Sequence, residues 1–207
     1  MNEKVLFDLD DTLVIGDLVQ EASFRLWNKT IIDRIYTQAD VRSWDMSNLP
    51  DPLRDEILES YSRPSLGVWY KKPMYGVYYF LLALKAHNFS IGILTARPSS
   101  LYEETCKYLK QFFPLITFDL GINFCNKEHH QSFSMPNKKK ILEEIMPDFY
   151  FDDIVKYCLS ANELGIKSIL VSNGHTPWNA TWFNHTKEIT AVVKNPSFID
   201  PKLLGVI

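Results

Sequence analysis

Two carboxylates one residue apart, Asp8 and Asp10, close the short apolar run Val5-Leu6-Phe7, and Asp11 and Thr12 follow. Acids packed this closely repel one another unless a cation sits among them. Oxygen ligands of this kind suit a hard cation, most simply Mg²⁺, which takes one or two carboxylates and keeps several waters. An apolar run bounded by polar residues reads as a buried strand. The carboxyl end of such a strand is where open α/β sheets bind their ligands. The plainer alternative is an acidic turn, because Asp is a common turn residue.

Two further strings carry polar groups at the same kind of position. Ile91-Gly92-Ile93-Leu94 runs into Thr95, Ala96 and Arg97. A hydroxyl, backbone amides and a guanidinium are the donors that phosphate oxygens need. Taken alone, the string reads more simply as a Thr helix cap and a surface Arg. Phe149-Tyr150-Phe151 ends in the paired acids Asp152 and Asp153. Lys138, Lys139 and Lys140 open a predicted helix, where a cation is electrostatically disfavoured. That cost gives a functional reason for one of them, against the alternative of a solvated Lys run. Lys127, after Phe124-Cys125-Asn126, is a rival.

The elements that must hold these groups alternate along the chain. Helices are predicted over 75–86, 99–111, 138–145 and 155–164, the second capped by Ser99 or Ser100 and the last ending at Gly165. Strands are predicted over 90–94 and 169–171, near 116–118, and leading out of 148–151. Alternating strands and helices imply βαβ units and a parallel sheet, whose right-handed crossovers gather the strand-end loops at one edge. Residues 17–70 break the pattern. Val19, Ala22, Leu26 and Trp27 recur at helical spacing, as do Ile31, Ile32 and Ile35, and Pro50, Pro52 and Pro64 divide the segment. It reads as a helical insertion.

Composition narrows the function classes. A chain of 207 residues with 46% hydrophobic content accommodates one domain with a small insertion. A net charge of −3 gives no electrostatic case for nucleic acid or an anionic membrane as an obligatory partner. No apolar segment approaches the ~20 residues of a membrane span. A strand starting a few residues after Met1 leaves no room for a signal peptide. Three separated cysteines, Cys106, Cys125 and Cys158, suit reduced thiols. The expected location is cytoplasmic. His129 and His130 lie near Cys125 but lack a second ligand pair at zinc spacing.

Asp8-Leu9-Asp10-Asp11-Thr12 resembles, at every position, the D-x-D-x-T first motif of the haloacid dehalogenase (HAD) superfamily of phosphohydrolases. Thr95 resembles the hydroxyl residue of the second motif, and Asp152-Asp153 the acids of the fourth. Lys138, with Ile141 and Leu142 three and four positions on, resembles the lysine of the third, with Lys127 and Lys139 as alternatives.

The resemblance implies an α/β fold, a Rossmann-like parallel sheet flanked by helices. Residues 1–16 and 71–207 would form the catalytic core, and residues 17–70 a C1-type helical cap. It implies a phosphatase acting through an aspartyl-phosphate. Asp8 would be the nucleophile, Asp10 the acid and base, and Thr95 and Lys138 the holders of the phosphoryl oxygens. Mg²⁺ would be held by Asp8, the Asp10 carbonyl and Asp152, with Asp153 acting through water or a hydrogen bond. Asp11 would take no chemical step.

Thr95-Ala96-Arg97-Pro98 further resembles 5′-nucleotidase-like members, as do Trp44-Asp45 and the Pro177-Trp178-Asn179 segment. This implies a nucleoside monophosphate as the small-molecule partner, bound by Thr95, Ala96, Arg97 and a stacking Trp44. The loops over 124–136 and 172–179 are longer than that group's. A phosphatase of another metabolite or of a nucleic-acid 3′-phosphate, a phosphotransferase, and a non-catalytic binding protein on the same scaffold are the alternatives.

Overall fold

The run Val5–Phe7 is buried on both faces. Val5 and Phe7 pack into one hydrophobic core and Leu6 into a second, as alternation along a strand between two layers requires. The computed structural model describes residues 2–16, 24, 28, 36–37, 40, 46–126, 138–172 and 187–205. In it this segment is β1 (Lys4–Phe7). The chain continues through β2 (Val14–Ile15), α1 (Asp51–Ser62), a π-helical turn Pro64–Val68 and β3 (Lys72–Pro73). Then come α2 (Val77–Ala86), β4 (Ser90–Pro98), a 3₁₀ turn Ser99–Leu101 and α3 (Tyr102–Phe112). β5 (Ile122–Asn126), α4 (Lys138–Ile145), β6 (Phe149–Asp152), α5 (Val155–Glu163), β7 (Lys167–Val171) and β8 (Ala191–Val193) follow.

Six strands form one sheet in the order β5-β4-β1-β6-β7-β8, and every neighbouring pair is parallel. α2 and α3 bury Val77, Leu81, Leu84, Tyr108 and Leu109 in the core that receives Phe7. α4 and α5 bury Leu142, Tyr157 and Ala161 in the core that receives Leu6. The sheet is therefore a middle layer, and the carboxyl ends of β1, β4 and β6 share one edge. β2 and β3 pair antiparallel, Ile15 opposite Lys72, and so tie the chain before the insertion to the chain after it. Phe24, Met46, Leu49, Leu53 and Ile57 make a small cluster of their own, with Tyr36, Leu58 and Tyr61 against it.

Several predicted elements shift. No strand forms near 116–118, which links a turn closed by the Ile116 amide donating to Phe113 O with a second turn at 119–120, and β5 begins only after Gly121, whose φ is +80°. Neither Ser99 nor Ser100 caps α3. A 3₁₀ turn carries the chain from Pro98 to Tyr102, and no side-chain cap bond starts the helix. Leu164 falls just outside α5, and Gly165 takes the left-handed conformation at φ +78°, as a helix stop requires. The helical spacing at Val19, Ala22, Leu26, Trp27, Ile31, Ile32 and Ile35 lies outside the described residues. Among the described residues no helix is long and apolar enough to cross a membrane.

Candidate active site

The ladder continues one residue past β1, because the Asp8 amide donates to Phe151 O at 2.8 Å. The chain then turns sharply. Leu9 O accepts from the Leu13 and Val14 amides at 2.9 and 3.0 Å, and Leu9 and Leu13 are buried in the core. Asp11 sits at φ +59°, a region that Asp tolerates. Its Oδ1 accepts from the Gly16 amide at 2.9 Å. A Cβ at position 16 would lie 2.7 Å from Asp11 Oδ2, so a larger residue there would have to displace the Asp11 carboxylate. Asp11 thus closes the loop. Two apolar plugs and one side-chain bond aim Asp8 and Asp10 at the strand-end edge.

Lys138, the first residue of α4, reaches back across that edge. Its Nζ donates to Asp8 Oδ1 at 2.6 Å and to Asp152 Oδ2 at 2.7 Å, and it lies 4.7 Å from the Tyr157 ring centroid. All three charged side chains are buried. Burial raises the Asp8 carboxyl to about 7, with Lys138 opposing and Asp152 and Asp10 adding to the rise. Burial would strip Lys138 of its proton, but Asp152 and Asp8 outweigh this and hold it cationic. Asp152 is engaged on both oxygens: Oδ1 accepts from the Ile154 amide at 2.8 Å, and Oδ2 accepts from Tyr150 Oη as well as from Lys138.

Asp10 has the opposite environment. Arg97 donates to it through Nε at 2.9 Å and Nη2 at 2.8 Å, and Lys71 Nζ donates at 2.5 Å. Burial would raise this carboxyl. Arg97 and Lys71 outweigh burial and hold it well below the usual carboxylate range. Lys71 is pushed down by burial, with Asp10 opposing and Arg97 adding to the fall. Arg97 reaches Asp10 because β4 gains one residue against β5 between Thr95 and Pro98, and bulges of this kind re-aim side chains. Its Nη1 donates to Thr105 Oγ1 at 3.1 Å. The guanidinium is therefore only 4% exposed, not a surface Arg. Thr95 is buried, its Oγ1 accepts from the Arg97 amide at 3.2 Å, and Ala96 between them is half-buried.

Five carboxylates, Asp8, Asp10, Asp11, Asp152 and Asp153, act on one another here, against three cations, Lys71, Arg97 and Lys138. Two negative charges are left over when all eight groups are ionised. Asp153 shows the strain most: burial, then Asp152, Asp11 and Asp8, push its carboxyl far up. A buried site short of two positive charges fits one divalent cation. Among the described residues, no three Asp, Glu, His or Cys side chains are arranged as a ready ligand set.

Asp8, Asp10, Thr95, Arg97, Lys138, Asp152 and Asp153 thus gather at the ends of β1, β4 and β6. Trp44, Lys127, His129, His130 and the 177–179 segment lie outside the described residues. Lys139 points elsewhere and pairs with Glu163 at 2.6 Å. Sequence reasoning missed Lys71 and Tyr150. Lys71 had no local mark, whereas Tyr150, two residues before Asp152, was open to the inference that a buried phenol needs a partner.

No protein-family model and no curated protein matches the sequence. Solved structures do match in fold. One is a predicted phosphatase from Clostridium acetobutylicum, with a TM-score of 0.69 and 17% identity over 99% of both chains. The fold is that of the haloacid dehalogenase-like hydrolases. A haloacid dehalogenase-like family hydrolase from Streptococcus pneumoniae superposes with a TM-score of 0.66 at 17% identity, over 99% of this chain and 97% of that one. A family IA, variant 3 HAD hydrolase from Entamoeba histolytica gives 0.62 at 15% identity, over 99% and 98%.

Proposed function

We propose that this HAD-fold protein is a Mg²⁺-dependent phosphomonoester hydrolase that works through an aspartyl-phosphate on Asp8. The observation that carries the reading is Lys138, buried at hydrogen-bond distance from both Asp8 and Asp152. A carboxylate is an adequate nucleophile when it is held ionised and aimed. The ladder bond of the Asp8 amide aims it, and Lys138 supplies a cation beside it. In-line attack by Asp8 on phosphorus forms the acyl phosphate and expels the alcohol oxygen. Water then attacks phosphorus and regenerates Asp8. Lys138 and Thr95 are the groups assigned to the phosphoryl oxygens, and Asp10 is assigned to proton transfer with the leaving oxygen and the water. Positioning and charge neutralisation dominate this reaction class.

Asp8, the Asp10 carbonyl, Asp152 and Asp153 are the groups assigned to the cation. Asp152 Oδ1 accepts from the Ile154 amide and keeps a second lone pair for a cation, and Asp153, pushed far up by burial and by Asp152, Asp11 and Asp8, gains from the same charge. When bound, Mg²⁺ would neutralise charge between nucleophile and phosphate. Residues 17–70 are assigned to a C1-type cap, supported by the separate cluster around Leu53 and Ile57. Nucleoside monophosphates are the first substrates to test, on the strength of Thr95-Ala96-Arg97-Pro98 alone.

Asp8→Asn should abolish Mg²⁺-dependent hydrolysis of p-nitrophenyl phosphate while leaving circular dichroism unchanged. Wild-type turnover in that variant would remove Asp8 as nucleophile. A phosphate-release screen over nucleotides and sugar phosphates tests the substrate class.

A further inference from the structure

The clamp on Asp10 spends two buried cations on one carboxylate. Lys71 and Arg97 are 1% and 4% exposed, while the Asp10 side chain is 24% exposed toward the strand-end edge. The two cations are fixed from different directions. Lys71 directly precedes β3, its carbonyl accepts from Tyr108 Oη at 3.2 Å, and its Nζ stands 4.7 Å from the Tyr61 ring centroid. Arg97 is set by the β4 bulge and by Thr105. A fixed guanidinium edge beside an ammonium is a receptor for an oxyanion, since Arg binds carboxylate or phosphoryl groups with two parallel bonds. The carboxylate now on that receptor is the most exposed of the three groups.

The arrangement also conflicts with proton transfer by Asp10. Three hydrogen bonds from two cations tether the carboxylate. Proton transfer to a leaving oxygen needs the carboxyl released from at least part of this hold. Another oxyanion on Lys71 and Arg97 would release it without leaving two buried cations bare.

We propose that Lys71 and Arg97 form a second oxyanion subsite, filled in this structure by the protein's own Asp10, which receives a second acidic group of the substrate. The proposal rests on the phosphatase reading and narrows it to phosphomonoesters that carry another oxyanion, a carboxylate or a further phosphoryl group. Engagement of that group frees Asp10, so the benefit falls on kcat as well as KM.

The test compares matched substrates under saturating Mg²⁺: glycerol 3-phosphate against 3-phosphoglycerate, and a nucleoside 5′-monophosphate against its 3′,5′-bisphosphate. In at least one pair the anion-bearing member should have a kcat/KM about tenfold or more higher, the scale of a charge-assisted contact. The pair that responds identifies the oxyanion. Lys71→Met should collapse that ratio toward one. Equal turnover within both pairs overturns the subsite, and this wild-type comparison stands whether or not the variant folds. A preference that survives in folded Lys71→Met also overturns it. A wild-type protein inert to p-nitrophenyl phosphate and to every member of both pairs overturns the phosphatase reading, and the subsite with it.

Discussion

Lys138→Met removes one charge and keeps most of the shape. The methionine stem follows the lysine path, and its thioether retains a favourable contact with the Tyr157 ring. The loss is therefore electrostatic. Asp8 and Asp152 each lose a bond under 3 Å, and Asp153 loses a cation that lowers it. Removing one partner of a buried ion pair costs about 3–5 kcal/mol, because the remaining charge is stranded. For a chain of this length, each kcal/mol moves the melting temperature by about 2–4 °C, so the fall should be about 6–20 °C. The assay is thermal denaturation at neutral pH, in EDTA and in excess Mg²⁺. The deficit should be largest in EDTA and should shrink in Mg²⁺, because a divalent ion restores positive charge to the same carboxylates. Hydrolysis of p-nitrophenyl phosphate should fall about 10²–10³-fold, as when a preorganised charge partner is lost. An unchanged melting temperature in EDTA, or wild-type hydrolysis, refutes the reasoning.

The raised Asp8 carboxyl predicts a pH dependence. A folded value of about 7 against an ordinary 3.8 means that the folded state binds the proton more tightly across that window. Stability in EDTA should therefore fall as pH rises from about 4 to about 7, by up to about 4 kcal/mol from this group. Mg²⁺ should flatten the slope, and melting curves with the same slope in EDTA and Mg²⁺ would contradict the assignment. Asp10 acts in a separate window. Its depressed value gives stability that is present above the ordinary carboxylate value and lost at lower pH. Thr12 is fully buried and its hydroxyl has no partner among the described residues. Thr12→Val should raise stability by about 1 kcal/mol, since an unpaired buried hydroxyl is a cost. Chemical denaturation checks this, and a clear destabilisation would show that the hydroxyl is satisfied.

The parts of the site carried by local strings were legible in the sequence. Asp8, Thr95 and Asp152 each follow an apolar run, and a buried parallel strand delivers its last residue to the same edge as its neighbours. Lys138 was legible because a lysine opening a helix is electrostatically out of place. Lys71 was not legible. It belongs to a Lys-Lys pair before a proline, 61 residues from Asp10, and only the two-residue pairing of β2 with β3 brings it there. Arg97 was legible as a phosphate donor but not as a partner of Asp10, because its direction depends on one inserted residue in β4. β8 escaped notice because three half-buried residues have no distinctive pattern. The strand near 116–118 was misplaced because apolar residues also fill the turn that buries Ile116.

Asp8 and Asp10 stand two residues apart in one loop, yet their environments push them in opposite directions. Carboxylates separated in this way take different roles. Asp8 is raised first by burial, then by Asp152 and Asp10, against a Lys138 that it shares with Asp152. In the proposed mechanism the nucleophile must be ionised, so Asp8 would need additional positive charge before attack. The two-charge deficit of the cluster supplies that requirement in the form of a divalent ion. Asp10 is already ionised and needs the reverse, a reduction of positive charge, before it can carry a proton. A cation entering beside Asp8 and Asp153 and an anion entering beside Lys71 and Arg97 satisfy both demands together. On this electrostatic reading, neither carboxylate is poised alone. Metal and substrate together set the site, which ties the metal dependence of stability to the substrate dependence of turnover.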